Sequence, residues 1–269
     1  AMMRYWDHYF ELAAGSGTGF VLDTNTWRAG TYWSQGLERN NDEMLDLNRE
    51  AVAFAMAMRD HWSGLGAIGP VLVNGVVGPA GDGYAPEFAY TAERSKETHA
   101  PQIHALAEAG VDLITALTLT HVGEAVGIVQ AAVDAVVPVA VSFTVETDGR
   151  LPNGQPLGDA IAEADTATRR APLYYMVNCA HPDHFRGALA TGETWLTRIG
   201  GIRANASRMS HEELDNSEAL DDGDPVEFGQ QHREIAELLP NLRVIGGCCG
   251  TDHRHVGCVS EHIHAKQAA

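Results

Sequence analysis

Leu173-Tyr-Tyr-Met-Val-Asn-Cys179 and Val244-Ile-Gly-Gly-Cys-Cys-Gly-Thr251 are two short apolar runs, each of which ends in cysteine. Runs of this length, apolar almost throughout, are predicted to be strands buried on both faces, as in a parallel sheet. Outward from them the same unit recurs, with candidate strands at 19–25, 67–74, 112–118, 137–144, 173–178, 199–205 and 242–246. Segments with helical spacing of apolar residues lie between them, at 42–61, 95–109, 122–136, 158–170 and 225–239. In the first of these, Met44, Leu45, Leu47, Ala51, Val52, Ala55 and Met56 trace one face, while Asp46, Arg49, Glu50 and Arg59 stay outside it. That face is expected to pack on the sheet.

Polar or reactive residues recur where these strands end: Asp23, Thr24 and Asn25; Asn74; Thr118; Glu146; Asn178 and Cys179; Asn205; Cys248 and Cys249. Barrel enzymes build their sites at that rim, so the pattern favours a (βα)8 barrel over an open doubly wound sheet. Seven strands is one short of closure, and the open edge that follows would favour association into a homo-oligomer. No linker or composition break interrupts the 269 residues, so one domain over 1–269 is expected.

A net charge of −18 argues against nucleic acid or an anionic membrane as partner, because both need clustered Lys and Arg. No run of eighteen apolar residues is present, and the first residues lack the basic and apolar regions of a signal peptide, so a cytoplasmic protein is expected. Ala1-Met2 before Met3 reads as a cloning remnant, with the natural start at Met2 or Met3.

Four cysteines, three of them within eleven positions, do not form a disulfide framework. In a barrel the strand ends converge, which lets Cys179 meet Cys248 and Cys249. Three sulfur ligands with one open position is the arrangement of catalytic zinc, and zinc makes a coordinated thiol a nucleophilic thiolate. Soft sulfur also admits copper(I) or an iron-sulfur centre, and an adjacent pair can serve redox chemistry. Cys258 reads as a small apolar residue. None of the thirteen histidines is assigned as a ligand: His253, His255, His262 and His264 have the spacing of an exposed C-terminal helix, with a helix-start or packing role for His255.

Val177-Asn-Cys179 and Gly246-Gly-Cys-Cys-Gly-Thr251, followed by Asp-His-Arg-His255, resemble the homocysteine S-methyltransferase family. Similar segments are Thr24-Asn-Thr-Trp-Arg-Ala29, Gly78-Pro79, Ala109-Gly-Val-Asp-Leu113, Val141-Ser-Phe-Thr144 with Asp148-Gly149, and Arg203-Ala-Asn-Ala206, so the resemblance covers essentially the whole chain. It implies a (βα)8 barrel, zinc held by Cys179, Cys248 and Cys249, and methyl transfer to homocysteine from S-methylmethionine, S-adenosylmethionine or betaine. The sequence departs from the family in two places. The family's first strand, with its Asp-Gly-Gly motif, has no counterpart, because the chain opens in what reads as a first helix over 4–14. Thr115-Ala-Leu-Thr118 puts Leu117 where the family has Glu. Both departures remove carboxylates that hold the substrate's amino group, leaving Asp23 or Glu146 as replacements.

The expectation is therefore a zinc-dependent S-methyltransferase acting on a small-molecule thiol acceptor and a sulfonium or ammonium donor. Asn178 and Asn205 would orient ligands or substrate, and Thr24, Asn25, Thr118 and Glu146 would line the pocket. The rival readings are a non-catalytic zinc-binding barrel and a redox enzyme built on the adjacent cysteines.

Overall fold

The computed structural model describes residues 2–66, 68–81, 83 and 90–264. Its helices and strands alternate: α1 (Met2–Gly15), β1 (Phe20–Asp23), α2 (Asn41–Gly64), β2 (Val71–Val77), α3 (Ala92–Glu108), β3 (Leu113–Leu119), α4 (Val122–Asp134), β4 (Val139–Phe143), α5 (Leu157–Thr168), β5 (Tyr175–Asn178), α6 (Pro182–Leu189), β6 (Ile199–Ala204), α7 (His211–Asp215), α8 (Pro225–Leu238), β7 (Val244–Gly247) and α9 (His253–His264). The strands pair in parallel in the order β1-β2-β3-β4-β5-β6-β7. Seven parallel strands, each followed by helix, make a nearly closed barrel of TIM type that lacks one strand.

The sequence explains the layering. Residues of β3, β4 and β5 are buried at every position, because helices cover one side and the barrel bore the other. All four residues of β7 are only half-buried, as befits a strand with a neighbour on one side. Helix starts are fixed by local chemistry. At α2 the Asn40 side chain accepts from the Glu43 amide at 2.9 Å and Glu43 reaches back to the Asn40 amide at 2.8 Å, a complete capping box. At α8 Asp224 caps and Pro225 follows, where a missing amide costs nothing.

Three local expectations are corrected. The predicted strand 67–74 in fact runs from Val71 to Val77, so Asn74 sits in mid-strand and not at the rim; Ala67 lies outside the described residues. Along α2 the buried stripe is Met44, Asn48, Val52, Ala55 and Met58, with Leu45 and Leu47 only half-buried. Asn48 lies in that stripe because its amide donates to Ala29 and Met44 carbonyls at 2.8 Å, so its burial leaves no donor unmet there. The C-terminal helix is not an exposed one: His255 is 0% exposed, its Nε2 bonding the Asp222 carbonyl and its ring packed edge-on against Phe228.

Candidate metal and thiol site

Cys179 follows β5, and Cys248 and Cys249 follow β7, so two strands separated by β6 deliver the three thiols to one end of the barrel. The Cys179 sulfur lies 2.7 Å from that of Cys248 and 3.8 Å from that of Cys249, and all three sulfurs fall within 4.8 Å of one another. None is in a disulfide. Cys179 is 4% exposed, Cys248 half-buried and Cys249 exposed, so the cluster presents one face outward through Cys249.

Backbone geometry holds these positions. Cys179 has φ 55° and Thr118 φ 64°, left-handed values that are unusual outside glycine and costly for a β-branched residue. Both stand at strand ends beside the cluster, where such strain is retained when the surroundings fix it. In the turn after β7, Gly250 takes φ 76°, and a Cβ on Gly247 would sit 2.0 Å from the Thr251 hydroxyl oxygen. That hydroxyl instead donates to the Cys248 carbonyl at 2.7 Å.

The side chains around the sulfurs form a connected polar layer. Asn178 Oδ1 accepts from the Thr118 amide at 2.9 Å and the Ser142 hydroxyl at 2.6 Å, and its Nδ2 donates to the Thr118 hydroxyl at 2.8 Å and approaches the Cys248 sulfur at 4.0 Å. Asn205 Oδ1 accepts from the Cys249 amide at 3.1 Å. On the far side of Cys179, His211 Nε2 bonds the Cys179 carbonyl at 2.7 Å, and Nδ1 faces the Glu146 carboxylate at 3.1 Å. Thus the structure gathers Thr118, Asn178 and Asn205 at the cysteines and brings in Glu146 through His211. Thr24 spends its hydroxyl on the β1–β2 seam, bonding Thr26 at 2.7 Å and the Asn74 carbonyl at 3.1 Å. Thr24 and Asn25 also line a cavity of about 30 Å³ shared with Trp6 and Phe54, between β1 and the helices α1 and α2.

One group at the site carries no signal in a motif. His211 follows the Ser210 cap of a five-residue helix, and nothing local indicates that its ring reaches Cys179. Arg203 does carry a signal, a lone charge inside the apolar run Ile199-Gly-Gly-Ile-Arg-Ala204. Its guanidinium forms an ion pair with Asp23 at the end of β1 and donates to the Gly247 carbonyl at 3.4 Å. Burial works against that charge, and Asp23 together with Cys248 more than offsets it, so the group is held firmly protonated.

Electrostatics show what the thiols need. Hydrogen bonding to Cys248 and Cys249, with burial, keeps the Cys179 proton on well above the usual thiol range. At Cys248 the bond from Cys179 works downward, but Cys249 and burial prevail and push the thiol up to about 11. Without a cation Cys179 and Cys248 keep their protons at neutral pH, whereas a coordinated thiol gives up its proton.

A profile of homocysteine S-methyltransferases matches residues 5–263. Among solved structures, the chain is similar to the homocysteine methyltransferase MmuM from Escherichia coli in its oxidized form, with TM-score 0.78 and 20% identity over 96% of this chain and 82% of that one. The metallated form of the same protein gives TM-score 0.73 and 20% identity, covering 96% and 83%. The apo form gives 0.69 and 19%, covering 95% and 84%. At these identities the likeness is one of fold.

Proposed function

The chain belongs to the homocysteine S-methyltransferase family and is an S-methyltransferase, and from that premise we propose that it moves a methyl group from a sulfonium or ammonium donor to a thiol such as homocysteine, with one zinc ion held by Cys179, Cys248 and Cys249 in a single barrel domain. The observation that carries this reading is the sulfur triangle, whose members all lie within 4.8 Å of one another. The donor set fits zinc: three soft ligands, joined by no fourth histidine, cysteine or carboxylate among the described residues, correspond to an open catalytic site and not a closed structural one. When bound, zinc lowers the pKa of a coordinated thiol enough to leave it a thiolate near neutral pH.

The chain's own residues supply the positioning. Asn205 holds the Cys249 amide, Asn178 ties β3 and β4 beneath Cys248, and His211 pins the Cys179 carbonyl. The exposed side of Cys249 leaves the acceptor's approach from the barrel mouth. The acceptor's proton goes to solvent. A sulfur lone pair then forms the bond to the methyl carbon as the donor's C–S or C–N bond breaks, and that pair of electrons leaves on a neutral thioether or amine. Holding the two reactants in line accounts for most of the rate in such a displacement.

The test is zinc content per chain in reduced protein, beside a Cys249→Ser variant. About one zinc per chain is expected, lost to near zero in the variant. Metal-free native protein would sink the zinc reading, and an unchanged zinc content in the variant would show that Cys249 is not a ligand.

A further inference from the structure

The charged groups around the cysteines are arranged differently from what ammonium recognition needs. Leu117, buried at the rim of β3, supplies no carboxylate, and Trp27 Nε1 caps its carbonyl at 3.4 Å. Asp23 is taken up on both oxygens: Asn74 Nδ2 donates to one at 2.7 Å and Arg203 binds the other. Glu146 is engaged by His211.

Arg203, by contrast, is set between the cysteine strands. Its register partners are Asn178 and Gly246, the residue before Cys179 and the second before Cys248. Its charge is felt at both Cys179 and Cys248. A guanidinium has five N–H donors, and two of them meet Asp23 and the Gly247 carbonyl. The side chain as a whole is 26% exposed, so it is not sealed from solvent. A rigid fork anchored by one carboxylate is well suited to receive a second.

We propose that Arg203, anchored by Asp23, binds the carboxylate of the acceptor thiol, so that this enzyme selects its acceptor by an anionic group and not by an ammonium. The inference rests on the thiol-acceptor reading above and deepens it. An arriving ammonium meets a fixed positive charge and no uncommitted carboxylate among Asp23, Glu146 and position 117. An acceptor whose sulfur reaches the cysteines and whose carboxylate reaches Arg203 satisfies both ends at once.

The test is calorimetric titration of the zinc-loaded chain with homocysteine, 4-mercaptobutyrate, which lacks the amino group, and 3-aminopropane-1-thiol, which lacks the carboxylate. Homocysteine and 4-mercaptobutyrate are expected to bind at least tenfold more tightly than 3-aminopropane-1-thiol. Arg203→Met is expected to weaken 4-mercaptobutyrate at least tenfold, leave 3-aminopropane-1-thiol within threefold and retain its zinc, with Arg203→Lys in between. A smaller preference in the native chain, or a reversed one, overturns the inference, as does a variant that weakens all three thiols equally. A zinc-loaded chain that binds none of the three sinks the thiol-acceptor reading and this inference together. If Arg203→Met does not fold, the ranking on the native chain decides.

Discussion

Asn178 receives hydrogen bonds from the Thr118 amide and the Ser142 hydroxyl and returns one to Thr118, so one buried amide joins three strands beneath the cysteines. Asn178→Ala leaves two buried donors without an acceptor, at about 1–3 kcal/mol each. The expected cost is about 2–4 kcal/mol in denaturant unfolding, and a loss below about 1 kcal/mol would mean that Thr118 and Ser142 find other partners. The three cysteines were legible in the sequence because thiols at strand ends have few other uses in such a pattern. Asn178 and Asn205 were legible only as strand-end polar residues, since an amide's acceptors depend on strands that are distant in the chain. His211 was not legible: its link to Cys179 spans 32 residues and depends on where a short helix lands. The replacement roles expected for Asp23 and Glu146 meet a structure in which Arg203 and His211 already engage both.

Elements were read more fully than residues. All seven strands lie where apolar runs placed them, with shifts of a few residues at the ends, because burial on both faces imposes a composition that a sequence displays directly. Helices α6 and α7 went unread, at eight and five residues too short to show a period. The end of α4 shows how tertiary context overrides local preference. There the Val137 amide bonds the Ala132 carbonyl at 3.0 Å and the Val136 amide bonds that of Val133 at 3.1 Å, the paired bonds of a Schellman cap. The cap puts Val136 at φ 54° and 90% exposed, a position that favours glycine over a β-branched residue. Val136→Gly is therefore expected to stabilise the fold by about 1 kcal/mol, read as a raised denaturation midpoint, with zinc content unchanged. A lowered midpoint would show that unfolded-state entropy outweighs the relieved strain.

For the whole molecule, acid stability follows from two buried imidazoles. Burial holds His232 down to about 4, with the Phe228 carbonyl opposing and His181 assisting. Burial likewise holds His181 down to about 4 against the pull of Asp183. Their folded pKa values lie below the ordinary 6.5, so the unfolded chain takes up protons first as the pH falls. The stability they contribute is full above pH 6.5 and is lost as the pH drops toward 4, by an amount on the order of 3 kcal/mol for His232. Unfolding free energy measured between pH 7 and 4.5 should fall, and His232→Leu should flatten the slope; an unchanged slope would place the acid sensitivity elsewhere. The sheet's discontinuity has a mechanical meaning of its own. Because β7 and β1 do not pair, the molecule is a split ring. All three sulfurs hang from the arc of β5, β6 and β7, on one bank of the slit, so widening it leaves their triangle undistorted. Asp23 stands on the opposite bank, at the end of β1. The ion pair that sets the charge beside the thiols is thereby also a clasp across the slit, fastened from inside the bore.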